Sequence, residues 1–79
     1  LGGCGRSKTP YDHAMDRAES SLERRDFEGT LASWMKAAEI SETDDDRQEA
    51  LYRRAHLLLR LGRTEDARVA LRELVEKLS

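Results

Sequence analysis

The two halves of this chain repeat each other at a fixed offset of 37 residues, and that recurrence restricts the fold more than any other feature of the sequence. Arg17-Ala18 matches Arg54-Ala55, Leu22 matches Leu59, Glu28 matches Glu65, Trp34 matches Leu71, and Ala38 matches Val75. Each half reads as a long amphipathic segment, a tight turn of charged or glycine residues, and a second amphipathic segment with a large residue near its middle. The material is helical. β-Branched residues are scarce (Ile40, Val69, Val75 and a few Thr), whereas Ala, Leu, Glu and Arg abound and Pro10 is the only proline. Such a chain is poor in strand formers and rich in helix formers. Its 79 residues suffice for one small domain.

Four helices are expected. Thr9 suits an N-cap and Pro10 the first helical position, where a missing N–H is harmless. Tyr11, Ala14, Met15, Ala18, Ser21 and Leu22 then form one stripe, opposite Asp12, Asp16, Glu19 and Glu23. Asp26 reads as the next N-cap, followed by the series Phe27, Leu31, Trp34, Met35 and Ala38, which fades at Ile40-Ser41. Gly29 interrupts this helix, and the expected reason is close approach of a neighbouring helix. Glu42 to Asp46 reads as an acidic loop, with Asp46 and Glu49 at capping-box spacing. The third helix carries Ala50, Leu51, Ala55, Leu58 and Leu59 and stops at Gly62. Thr64 is expected to cap the fourth, whose stripe is Ala67, Ala70, Leu71, Leu74, Val75 and Leu78. The organisation is therefore a leader over 1–9, a hairpin over 10–42, an acidic loop over 43–47 and a second hairpin over 48–79. Loops this short make sequential helices antiparallel, with Phe27, Trp34, Leu71 and Leu74 filling the space between hairpins.

No catalytic constellation or cofactor site is legible. His13 and His56 lie on different hairpins, and a zinc site from them and Cys4 would need three distant segments to converge. Asp44-Asp45-Asp46 lacks the spaced oxygens, central glycine and terminal Glu of a calcium loop. There is neither a nucleophile pattern nor a glycine-rich phosphate loop. The formal charge of −2 gives no general pull toward nucleic acid or an anionic membrane, and no apolar run is long enough to cross a bilayer.

The pattern resembles the tetratricopeptide repeat. In Leu51 to Ser79, Ala55 stands as the small residue of the first helix, Leu58 as the large one, Leu61-Gly62-Arg63 as the turn, and Ala67 and Leu71 as the small and large residues of the second helix; Leu74 replaces the final alanine. Tyr11 to Glu42 follows it through Ala18, Asp26-Phe27, Trp34 and Ala37, but Arg25 stands where glycine is usual and Thr30 where alanine is. The repeat is three residues longer than the family's period, an excess assigned to the acidic loop. The resemblance implies an all-α fold of two tandem antiparallel hairpins stacked as in an α-solenoid, and a protein- or peptide-binding scaffold without enzymatic activity. It also implies a concave partner surface on each hairpin's first helix, here Asp12, Met15, Asp16, Glu19 and Glu23 with Tyr52, Arg53, His56 and Arg60. The Lys and Asn residues with which chaperone-binding members hold a terminal carboxylate are missing. Stable arrays need about three repeats, so the apolar last helix implies continuation, self-association or a docked partner.

Leu1-Gly2-Gly3-Cys4 resembles a bacterial lipobox, with Gly5-Arg6-Ser7-Lys8 as a short tether. That resemblance implies lipidation of Cys4 and a lipid-anchored, periplasm-facing place in the bacterial cell envelope; without it the expectation is cytoplasmic. Two rival functions compete with the scaffold. One is nucleic-acid binding through Arg53, Arg54, Arg60, Arg63, Arg68 and Arg72, although acidic neighbours such as Glu49 oppose it. The other is the accessory repeat region of a larger envelope enzyme.

Overall fold

Three helix starts carry a side chain that satisfies their first free N–H groups. In the computed structural model, which describes residues 8–78, Thr9 caps α1 (Pro10–Glu23) in a reciprocal box: its hydroxyl accepts from the Asp12 N–H and the Asp12 carboxylate accepts from the Thr9 N–H, both at 3.1 Å. Asp26 caps α2 (Phe27–Ile40) by accepting from the Gly29 N–H. Thr43 caps α3 (Asp44–Arg60) by accepting from the Asp46 N–H. α4 runs Thr64–Leu78. The chain is all-helical, with no strand among the described residues. Cys4 and the side chain of Leu78 lie outside them.

The 37-residue offset reappears in the backbone hydrogen bonds. At the end of α1 the N–H groups of Arg24, Arg25 and Asp26 donate to the carbonyls of Ser20, Leu22 and Ser21 at 3.2, 3.0 and 2.8 Å. At the end of α3 those of Leu61, Gly62 and Arg63 donate to Leu57, Leu59 and Leu58 at 2.9, 3.0 and 2.9 Å. Every partner is displaced by the same 37 positions. Both turns are Schellman terminations, whose penultimate residue must be left-handed. Gly62 meets that need at φ 80°, and Arg25 meets it at φ 64° despite its Cβ.

Consecutive helices pack on one another: α1 on α2, α2 on α3, and α3 on α4. One core cluster draws on all four helices through Ala18, Leu31, Trp34, Ala55, Leu57, Leu58, Ala67 and Ala70, so the hairpins share their interior. A second, alanine-rich cluster joins Ala14, Ala37, Ala38, Ala50 and Leu51. Small residues at these points let helix backbones approach closely. The Tyr11 hydroxyl donates to the Asp46 carbonyl at 3.1 Å, tying α1 to the first turn of α3, and burial raises its phenol pKa. The Arg63 guanidinium bridges Glu28 (2.6 Å) and Asp66 (3.2 Å), in the first turns of α2 and α4.

Four expectations are corrected. Asp44 to Asp46 are helical, and Thr43, not Asp46, is the cap. Carboxylates in a first turn are favoured by the helix dipole, so the three extra residues lengthen α3 to 17 against 14 for α1 instead of forming a loop. Thr64 is the first residue of α4 and not its cap, Arg63 preceding it. Gly29 makes room for the capping carboxylate of Asp26, since a Cβ there would lie 2.4 Å from Asp26 Oδ2. Finally, Leu71 does not fill the space between hairpins, whereas Leu74 packs against the second cluster, and Val75 of the same stripe is exposed. Trp34 and Ala38 are each 5% exposed beneath α3, whereas their counterparts Leu71 and Val75 are 38% and 63% exposed. That face of α4 is the one α2 covers with α3, displaced by one repeat.

Candidate functional site

α3 places Tyr52, His56 and Arg60 at four-residue steps, so the three share one exposed face of the helix. Tyr52 and His56 stack, with ring centroids 6.1 Å apart and planes inclined by 14°. Arg53 stands beside them, its Nε donating to Glu49 at 2.5 Å. Leu57 and Leu61 lie behind this face, and the first hairpin supplies the other wall: Leu22 from the end of α1, Arg25 from the turn, and Phe27 and Trp34 from α2. Together they enclose a groove of about 530 Å³. That volume falls within the range of ligand-sized clefts.

The floor is apolar and the rim is cationic. Three guanidiniums and an imidazole line the groove, and no carboxylate does. Arg53 is paired with Glu49, whereas Arg25 and Arg60 have no ion-pair partner among the described residues. In a chain whose formal charge is −2, this is a local reversal of sign. A smaller depression of about 190 Å³, between Met35, Ala38, Glu39, Arg47, Leu51 and Glu73, carries both signs and has no such contrast.

The nine residues expected to form one partner surface divide here. Tyr52, Arg53, His56 and Arg60 all line the groove; Asp12, Met15, Asp16, Glu19 and Glu23 do not. Asp12 is occupied in the α1 cap, and Met15 packs against both core clusters. Asp16 forms an ion pair with Lys8, which raises the pKa of the Lys8 ammonium. Glu19 and Glu23 are exposed on α1 and are not among the residues that line the groove. Sequence reasoning missed the contribution of Leu22, Arg25, Phe27, Trp34, Leu57 and Leu61 to the groove. Arg25 was the available signal: a long cation where the repeat calls for glycine.

Among the described residues no cluster of His, Asp and Glu is arranged to hold a metal ion, and no helix is long and apolar enough to cross a membrane. Compared with protein-family models, curated proteins and solved structures, the chain matches none.

Proposed function

We propose that this chain is a protein-interaction scaffold of the tetratricopeptide type, in which the groove between the two hairpins receives a segment of a partner protein. The observation that carries this reading is the groove itself: an apolar floor, including Trp34, between two hairpins whose turns repeat at 37 residues. Aromatic and arginine side chains around an apolar floor are the residue types that dominate binding energy at protein interfaces. Helices position every one of these groups except Arg25 and Leu61, which the hydrogen bonds of the two turns hold instead.

The test is selection of a random peptide library against the chain, followed by competition with a Tyr52→Ala, Arg60→Ala variant of unchanged helicity. Ligands that bind the chain and lose affinity for the variant support the scaffold. Failure to select any, or ligands indifferent to the variant, refutes it. We place the scaffold at the bacterial cell envelope, anchored through Cys4, on the strength of the lipobox resemblance. Incorporation of a labelled fatty acid into the parent protein, lost on Cys4→Ser, is the expected result; unlabelled protein refutes the anchor.

Nucleic-acid binding has less to support it. Arg63 is engaged by Glu28 and Asp66, Arg68 by Glu65 and Arg53 by Glu49, which leaves no continuous basic stripe along one helix.

A further inference from the structure

We infer that the partner segment this groove takes is acidic, with carboxylates flanking one large apolar residue; the inference rests on the scaffold reading above. Charge complementarity is the first reason. Arg25 and Arg60, which have no ion-pair partner among the described residues, stand on opposite sides of the groove, Arg53 shares its charge with Glu49, and no carboxylate is among the lining residues, so an acidic chain meets attraction on both sides and a basic one meets repulsion. Leu22, Phe27 and Trp34 give the groove an apolar lining beside Arg25, against which a Phe or Leu side chain can pack while its neighbours reach the arginines.

The second reason is Arg25. The two turns have identical hydrogen-bond patterns, and Gly62 shows what the left-handed position favours. Gly62 has open space around it, with nothing within 4 Å of an added Cβ. At the equivalent place in the first hairpin the chain carries Arg at φ 64°, against its backbone preference, and that side chain lines the groove. A ligand anion would give a role to a guanidinium that has no ion-pair partner among the described residues and sits in a position that disfavours it.

The spacing sets the register. Arg60 and Arg53, the latter shared with Glu49, are seven residues apart on α3, about 10 Å along the axis at 1.5 Å per residue. A peptide in the polyproline II conformation, with three residues per turn and about 3.1 Å rise per residue, puts residues three apart on one face about 9 Å from each other. Carboxylates three positions apart, with the apolar residue between them, therefore match the rim.

The experiment uses three fluorescein-labelled peptides of one length: Glu-Asp-Phe-Glu-Asp, the same with Gln and Asn for its acids, and the same with Lys for its acids. A twelve-nucleotide oligothymidine is the fourth probe. Anisotropy measures binding, and the emission of Trp34, the only tryptophan, reports occupancy of the floor. The acidic peptide should bind tightest and weaken as salt rises. Arg60→Ala and Arg25→Gly should each lower its affinity about three- to ten-fold, and Arg25→Lys should restore most of the loss. Arg25→Gly relieves the turn, so weaker binding by that variant cannot be laid to unfolding. If the neutral or basic peptide binds as well and moves Trp34 emission, acidity is overturned and the scaffold stands. If no peptide binds, both fall. If the oligothymidine binds more tightly than the acidic peptide through the same arginines, the partner is nucleic acid and the inference is wrong.

Discussion

Replacing Arg25 by Gly should make this protein more stable, although it removes one of the longest side chains in the turn. The φ of 64° at Arg25 brings its Cβ toward the following carbonyl oxygen, at a cost of about 1–2 kcal/mol for an L-residue. Glycine removes that strain but adds about 0.4–1 kcal/mol of unfolded-chain entropy. The side chain makes no ion pair among the described residues and lies on the surface, so little else is lost. The net gain is about 0.5–1 kcal/mol. A domain of this size shifts its melting temperature by about 4–8 °C per kcal/mol, so thermal unfolding followed by circular dichroism should move up by about 2–8 °C. Gly62→Ala supplies the reciprocal measurement. Nothing stands within 4 Å of the added Cβ, so only the backbone at φ 80° is tested, and a loss of about 0.5–1 kcal/mol should follow. An Arg25→Gly variant that melts lower than the parent would falsify the strain account, as would a Gly62→Ala variant of equal or higher stability.

Three further perturbations probe other joints of the fold. Trp34→Ala should cost about 3–5 kcal/mol, a large part of the roughly 4–12 kcal/mol expected for such a chain, while Leu71→Ala at the equivalent position should cost under about 1 kcal/mol. Urea midpoints give the contrast, and equal losses would show that α4's outer face is covered in solution. Gly29→Ala should be neutral or harmful in the parent, because its Cβ displaces the Asp26 carboxylate, yet should gain about 1 kcal/mol in an Asp26→Ala background; additive effects in the double-mutant cycle would exclude this coupling. Tyr11 has a folded pKa raised above its unfolded value of about 10, so its contribution is fully present below pH 10 and is lost as pH rises through the folded pKa. Tyr11→Phe should lower stability by about 0.5–1.5 kcal/mol at pH 7 and flatten the decline above pH 10; an unchanged alkaline profile would remove Tyr11 as its source.

What the sequence made legible was local. Thr9-Pro10, Asp26 and Gly62 mark boundaries because capping and left-handed termination depend on the residue itself and its next few neighbours. The acidic run from Asp44 to Asp46 is ambiguous in sequence because aspartates favour loops and helix first turns alike, and only the pairing of the Thr43 hydroxyl with the Asp46 N–H decides between them. Gly29 is ambiguous for a similar reason: a glycine signals a close approach without naming what approaches.

The site was half legible for a different reason. Periodicity states which face of α3 carries Tyr52, His56 and Arg60, but the groove also depends on which residues α3 leaves uncovered when it lies on α2. That is a property of two helices packed together, with Trp34 on α2 and Tyr52 on α3 eighteen positions apart (52 − 34), and no pattern within either one encodes it. The acidic face of α1 was assigned to the same surface because both are first helices of a hairpin. Instead the cap engages Asp12, Lys8 engages Asp16 and the core takes Met15, while the turn brings Arg25 to the groove. The exchange changes the sign of the surface. A surface of acidic and basic halves becomes a cationic rim around Trp34, and the ligand proposed for it is acidic.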